Sequence, residues 1–137
     1  MERFLPDECD ADQLSPLTLA FLGDAVFELF ARERLVCMGS RPVSELHRLA
    51  VQDVCCGAQR DAAKRILPCL TEKEAAVFRR GKNAHPGHVP KNADPSDYHE
   101  ATALEALFGY LYLTGNIGRL RDLFETIKAG QASPVLG

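Results

Sequence analysis

The sequence predicts an all-α domain. Three observations lead there: no stretch sustains a period-two alternation of apolar and polar residues, Gly and Pro fall in short clusters between longer apolar-rich segments, and several segments open on helix-start signals. Ser15-Pro16 places an N-cap hydroxyl before a proline at the first helical position, so Leu17 to Val36 reads as a helix that ends by Gly39. Its apolar residues, Leu19, Leu22, Val26, Phe27, Leu29 and Phe30, wrap most of the circumference, which predicts a central, buried helix. Pro42 and Ser44 open an alanine-rich segment that runs to Leu67 and stops at Pro68. Thr71-Glu72-Lys73-Glu74 is a capping box, starting a short helix to about Arg80. Gly81 to Asp94 reads as the one long loop. Asp94-Pro95 or Ser96 begins another apolar helix through Ala101 to Leu113, Gly115-Asn116 breaks it, and a last amphipathic helix carries Leu120, Leu123, Phe124 and Ile127. One domain over residues 1–137 is expected, with its core at about 15–130 and a frayed tail at Gln131–Gly137.

The chain has 137 residues, 46% hydrophobic and 26% charged, a balance that excludes a disordered chain, and no apolar run is long enough to span a membrane. The first eight residues, Met1 to Asp7-Glu8, lack the apolar region of a signal peptide, so a cytoplasmic protein is expected. Cys9, Cys37, Cys55, Cys56 and Cys69 are odd in number and show no CxxC spacing, which predicts reduced, partly buried thiols. A net charge of −3 argues weakly against a nucleic-acid partner. Yet from Arg79 to Asn92 the chain carries Arg79, Arg80, Lys82, Lys91, His85 and His88 and no acid, enough for one basic face.

Two acids stand in apolar surroundings. Asp24 lies in Phe21-Leu22-Gly23-Asp24-Ala25-Val26-Phe27, and Glu105 in Ala103-Leu104-Glu105-Ala106-Leu107-Phe108. Burying an ionised carboxylate costs several kcal/mol unless it is paired or metal-bound. The residues alone allow two readings: the helices bring both carboxylates to one metal, or each acid meets an arginine or caps neighbouring backbone. Glu28 stands four residues after Asp24 and four before Arg32, and its pairing with Arg32 is expected. Gly23 and Gly109 each cost about 1 kcal/mol inside a helix, which points to close helix–helix approach or to access of a ligand backbone. Pro86-Gly87 between His85 and His88 speaks against a helical metal pair and for phosphate contact or exposure. His47 reads as a packing or capping histidine, while Asp97, Tyr98, His99 and Glu100 take no role from the pattern.

Phe21-Leu22-Gly23-Asp24-Ala25-Val26-Phe27-Glu28 resembles the signature helix of the ribonuclease III family, and Ala103 to Leu113 resembles that family's second acidic helix. The stretch Arg79-Arg80-Gly81-Lys82-Asn83-Ala84, followed by Pro90-Lys91-Asn92, is similar to the Mini-III ribonucleases, short bacterial members without a double-stranded-RNA-binding domain. The resemblance covers about Leu17 to Leu113. Full-length members carry a glutamate where this chain has Ala20 and an aspartate where it has Thr102, and Mini-III enzymes are similarly depleted. Asp24 and Glu105 are the matched carboxylates.

The resemblance implies a ribonuclease III-like helical endonuclease domain: a metal-dependent endoribonuclease of double-stranded RNA that leaves 5′-phosphates and 3′-hydroxyls. It further implies a homodimer that matures the large-subunit (23S) ribosomal RNA precursor, with a ribosomal protein as a possible further partner. Asp24 and Glu105 are then the catalytic and metal-holding pair, taking Mg²⁺ or Mn²⁺ with water and substrate phosphate completing the shell. Arg79, Arg80, Lys82, Asn83, His85, Lys91 and Asn92 are the expected RNA contacts, the cations on phosphates and the asparagines on 2′-hydroxyls. The competing expectation is a catalytically silent RNA-binding or ribosome-associated domain on the same fold. A helical protein–protein adaptor also fits the composition but leaves the basic stretch unexplained.

Overall fold

The computed structural model describes residues 3–84 and 89–130. These form six α-helices: α1 (Pro16–Val36), α2 (Val43–Val54), α3 (Cys56–Ile66), α4 (Glu72–Lys82), α5 (Pro95–Leu113) and α6 (Ile117–Ala129). Short 3₁₀ turns at Ala11–Gln13 and Leu67–Cys69 precede α1 and α4, and no strand occurs among the described residues. The all-α expectation holds. His85, His88 and the tail Gln131–Gly137 lie outside the described residues.

Local chemistry fixes the helix starts. The Ser15 hydroxyl accepts from the Thr18 amide at 3.1 Å, with Pro16 as the first helical residue. An Asp94 carboxylate oxygen accepts from the Ser96 and Asp97 amides at 2.9 and 3.2 Å, with Pro95 in the same role. Thr71 and Glu74 form the reciprocal capping box. Glu74 also takes two 2.8 Å bonds from the Arg119 guanidinium, so this buried carboxylate ties α4 to α6. Arg119, its largest influence, holds the Glu74 carboxyl below the usual range.

The core is built around α5. Residues Ala101 to Leu104 and Ala106 to Leu111 are buried on every side of that helix, against α1, α3, α4 and α6. Phe27 and Phe108 meet at 5.5 Å between ring centroids, and Phe30 stacks on Phe124 at 4.7 Å, joining α1, α5 and α6. A side chain of this size gains roughly 1.5–3 kcal/mol by complete burial, and Phe27, Phe108, Leu104, Leu107 and Ile127 are all sealed from solvent.

The structure departs from the sequence reading at four places. The segment read as one stretch from Pro42 to Leu67 is two helices, because Cys55 is extended (φ −66°, ψ 160°) and turns the chain between them. The helix expected to stop near Arg80 continues to Lys82. Gly81 is buried inside it, where a Cβ would lie 2.9 Å from Ala103 Cα and Ala106 Cβ. This glycine permits close packing of α4 on α5 and does not open a loop. The helix α1 is not buried all round: Leu17, Phe21 and Leu29 are exposed, Phe21 to 85%, because no other element among the described residues covers that side. Finally, all five cysteines are free thiols, and only Cys56 is partly buried; Cys9, Cys37, Cys55 and Cys69 are exposed, lying near helix ends and turns. No described helix is long and apolar enough to cross a membrane.

Candidate active site

The two glycines singled out in the sequence mark where α1 crosses α5. A Cβ on Gly23 would lie 1.6 Å from the Glu105 carbonyl oxygen and 2.8 Å from the Gly109 nitrogen. One on Gly109 would lie 2.0 Å from the Leu19 carbonyl oxygen. The helices therefore touch backbone to backbone, which spends helix propensity to gain proximity. Asp24 follows Gly23 directly, so its carboxyl group arrives at the level of Glu105.

The two acids do not share one environment. Asp24 is exposed, contrary to the expectation of burial, because it stands at the edge of the uncovered side of α1. Glu105 is partly buried among the apolar residues of α5. Burial, first, and then the neighbouring Asp24 carboxylate and its hydrogen bond push the Glu105 carboxyl up to about 8. Close contact between two carboxyls with one proton between them is the usual cause of such coupling.

Gln59 opposes this rise. Its Nε2 donates to Glu105 Oε2 at 3.3 Å and to the Val54 carbonyl oxygen at 3.1 Å. Among the described residues, the side chains that act on Glu105 are the Asp24 carboxylate and the Gln59 amide. Its contacts are therefore an acid and an amide rather than the arginine that the alternative reading requires. Glu28 does pair with Arg32, at 2.9 Å, as expected.

These donors fit a hard divalent cation. Ionised together, the exposed Asp24 and partly buried Glu105 carboxylates would repel one another at close range, and a cation between them can take the place of the shared proton. No group of three or more His, Cys, Asp or Glu suited to a metal occurs among the described residues, so protein ligation would rest on Asp24 and Glu105. Ala20 is buried and aliphatic, and the Thr102 hydroxyl donates to the Tyr98 carbonyl at 3.0 Å, so neither position supplies a carboxylate.

The basic residues divide between helix and loop. Arg79, Arg80 and Lys82 form the exposed last turn of α4 and Asn83 caps it, while Lys91 and Asn92 are exposed just before α5; His85 lies outside the described residues. The end of α4 packs on a face of α5 neighbouring the one that carries Glu105. Lys82 is engaged, its Nζ 2.8 Å from Glu100 Oε1. His47 is exposed beside Leu46 and Val43 on α2, in an apolar groove with Leu35 and Val36 of α1.

Residues 17–116 match the family model described as the Ribonuclease III domain. The chain belongs to the ribonuclease III family. Ribonuclease III membership makes it an endoribonuclease, and the matched span runs from the first turn of α1 to the residue before α6, enclosing both acids and the whole basic stretch. A Mini-ribonuclease 3 of Symbiobacterium thermophilum is 48% identical over 86% of this chain and 94% of its own length. One of Thermoanaerobacter is 44% identical over 82% and 79%. A crystal structure of a Fusobacterium nucleatum protein, 29% identical, superposes with a TM-score of 0.81 over 89% of this chain and the whole of that one. The Mini-III resemblance is thereby borne out.

Several residues around the two acids of this ribonuclease III-family chain were not legible in the sequence. Gln59 stands among Ala58, Ala62 and Ala63 in an alanine-rich helix, and its near-complete burial, 3% exposed, shows only in the fold. Asp97 takes a two-pronged bond from Arg60 at 2.9 and 3.0 Å, joining α3 to the start of α5. Burial and then the Glu105 and Asp97 carboxylates push the Cys56 thiol up, so it stays protonated at neutral pH.

The raised Glu105 value predicts a pH dependence of stability. Between its ordinary 4.5 and about 8, the folded chain holds a proton that the unfolded chain has released. Its contribution is complete below about 4.5 and is lost as pH rises through about 8. In a chelating buffer, thermal denaturation of Glu105→Gln should show a smaller fall in midpoint between pH 5 and 9 than the parent protein. Parallel declines would count against the shifted carboxyl.

Proposed function

We propose that the chain is a divalent-metal-dependent endoribonuclease of double-stranded RNA that acts as a homodimer on the 23S ribosomal RNA precursor. The observation that carries this reading is the juxtaposition of the Asp24 and Glu105 carboxyls, hydrogen-bonded to one another at the α1–α5 crossing. Bound there, Mg²⁺ or Mn²⁺ supplies Lewis-acid polarisation of the scissile phosphate and a more acidic water for in-line attack, which fits products with 5′-phosphate and 3′-hydroxyl ends. Glu105, partly buried on the central helix, gives the ion a fixed anchor, and exposed Asp24 meets the substrate side. The similarity to Mini-ribonuclease 3 proteins supports the ribosomal precursor as substrate, and a ribosomal protein bound to that precursor is the further partner this reading admits. Incubation with labelled double-stranded RNA, with and without Mg²⁺, tests it: ion-dependent cutting is expected. Binding without cutting would leave a silent RNA-binding domain.

The cations at the end of α4 and before α5 are the proposed phosphate contacts. Neutralising Arg79, Arg80, Lys82 and Lys91 together should weaken RNA binding and flatten its salt dependence, by roughly 0.9 in the log–log slope per lost contact. Lys82 should contribute least, because Glu100 already holds it. An unchanged slope in a binding titration would assign these charges to solvent.

The dimer is supported by the uncovered side of α1. Leu17, Phe21 and Leu29 recur at multiples of four residues and form an apolar stripe beside Asp24. Two copies related by a two-fold axis along that stripe would present one Asp24–Glu105 site to each strand of a duplex. Phe21→Asp should halve the mass seen by light scattering, and a parent protein that is itself monomeric would remove this part of the reading.

A further inference from the structure

Gln59 lies outside the sequence motifs, yet its side chain is 3% exposed and reaches two elements at once. Its Nε2 donates to the Val54 carbonyl oxygen at the end of α2 and to Glu105 Oε2 on α5, at 3.1 and 3.3 Å. Both partners are acceptors, so the orientation of the carboxamide is determined, with Nε2 towards them and Oε1 away. Oε1 is buried without a protein partner. A buried amide oxygen left unpaired costs about 1–3 kcal/mol, and a Met or Leu would fill the same space without that cost. The position therefore gives up stability to keep a neutral donor on one oxygen of Glu105.

A neutral donor has a specific virtue there. An arginine or lysine would neutralise Glu105 and compete with a bound cation, whereas a carboxamide orients the carboxylate and leaves its charge intact. The anchor is itself well placed. Val54 is the last residue of α2, immediately before the extended Cys55, and Gln59 is in the first turns of α3, so the turn between these helices holds the carboxamide.

We propose that Gln59 is a positioning residue for the ion site: by holding Glu105 Oε2 it fixes the carboxylate rotamer and reserves the other oxygen for the divalent cation. This rests on the reading of Asp24 and Glu105 as the ion-holding pair. Removal of an outer hydrogen bond to a metal-ligating carboxylate typically weakens ion affinity about 10- to 100-fold.

The test is calorimetric titration of the full chain with Mn²⁺ in the absence of RNA. Gln59→Met and Gln59→Leu remove the donor with two different shapes. Both should raise the Mn²⁺ dissociation constant about 10- to 100-fold, leave salt-dependent RNA binding in ion-free buffer unchanged, and keep a thermal midpoint in ion-free buffer at least as high as the parent's, because neither leaves a buried amide oxygen unpaired. The last result separates positioning from general destabilisation, which would lower that midpoint. In the parent protein, the Gln59 side-chain amide signals should shift when Mg²⁺ is titrated in an NMR experiment, a readout that needs no variant to fold. Unchanged Mn²⁺ affinity in folded variants, or amide signals that ignore Mg²⁺ while the parent binds it, would overturn the proposal and leave the Asp24–Glu105 reading standing. Absence of Asp24-dependent Mn²⁺ binding by the parent would overturn both.

Discussion

Asp24→Asn should reduce cleavage of double-stranded RNA at saturating Mg²⁺ by about 10³-fold or more, with the fold intact. An ion that stabilises the charge of a phosphoryl transition state is worth several kcal/mol, and about 4 kcal/mol corresponds to that factor. The substitution keeps the side-chain shape and removes the charge, so the anchor is lost without a packing change. Asp24 is exposed, and its main interaction in the ion-free protein raises the proton affinity of Glu105. Asparagine should therefore leave thermal stability unchanged or slightly increase it near pH 8, where the parent holds two mutually repelling carboxyls. RNA binding in ion-free buffer should also persist. Single-turnover cleavage with a defined duplex gives the rate, and a folded Asp24→Asn protein that cuts at the parent rate would exclude Asp24 from the chemistry.

Gly23→Ala should be the most disruptive conservative change in α1. Alanine is ordinarily the better helix former by about 1 kcal/mol. Here the added methyl would sit 1.6 Å from a carbonyl oxygen and 2.8 Å from the Gly109 nitrogen, both main-chain atoms of α5 that cannot rotate aside. The helices would have to separate, opening contacts such as Phe27 on Phe108. Overpacking of this kind costs about 3 kcal/mol or more, a large share of the roughly 5–15 kcal/mol that holds a domain together. Gly118→Ala is the control: nothing lies within 4 Å of its added carbon, and it should be neutral or mildly stabilising. Denaturant melts of the two variants decide the matter, and equal stability would mean that the crossing is looser than its backbone contacts indicate.

The helix boundaries that were legible in the sequence are those set by local chemistry. Ser15-Pro16, Thr71 with Glu74, and Asp94-Pro95 each satisfy free amides within a few residues, so neighbouring letters suffice to find them. The features that escaped depend on partners distant in the chain. Gly81 looks like a loop signal until Ala103 and Ala106 are seen against it, and the apolar circumference of α1 does not reveal which side remains uncovered. The same division runs through the candidate site. Asp24 and Glu105 stood out as acids in apolar surroundings, although Asp24 proved exposed and Glu105 only partly buried. Gln59 and the Arg60–Asp97 pair were silent, because a glutamine or an arginine on a helix becomes informative only when what it touches is known.

The Gly23–Gly109 crossing also bears on how such a site can change over generations. Side chains drift, and a spacing set by them can be retuned in small steps through successive substitutions. Where main chain rests on main chain, there are no intermediate steps: any residue larger than glycine removes the arrangement at once. The separation of Asp24 from Glu105 is thus poorly evolvable, and under the function proposed above adaptation to a new RNA would be channelled into the periphery, to the charges of the last turn of α4 and the segment leading into α5, where substitutions meet solvent and carry little structural penalty.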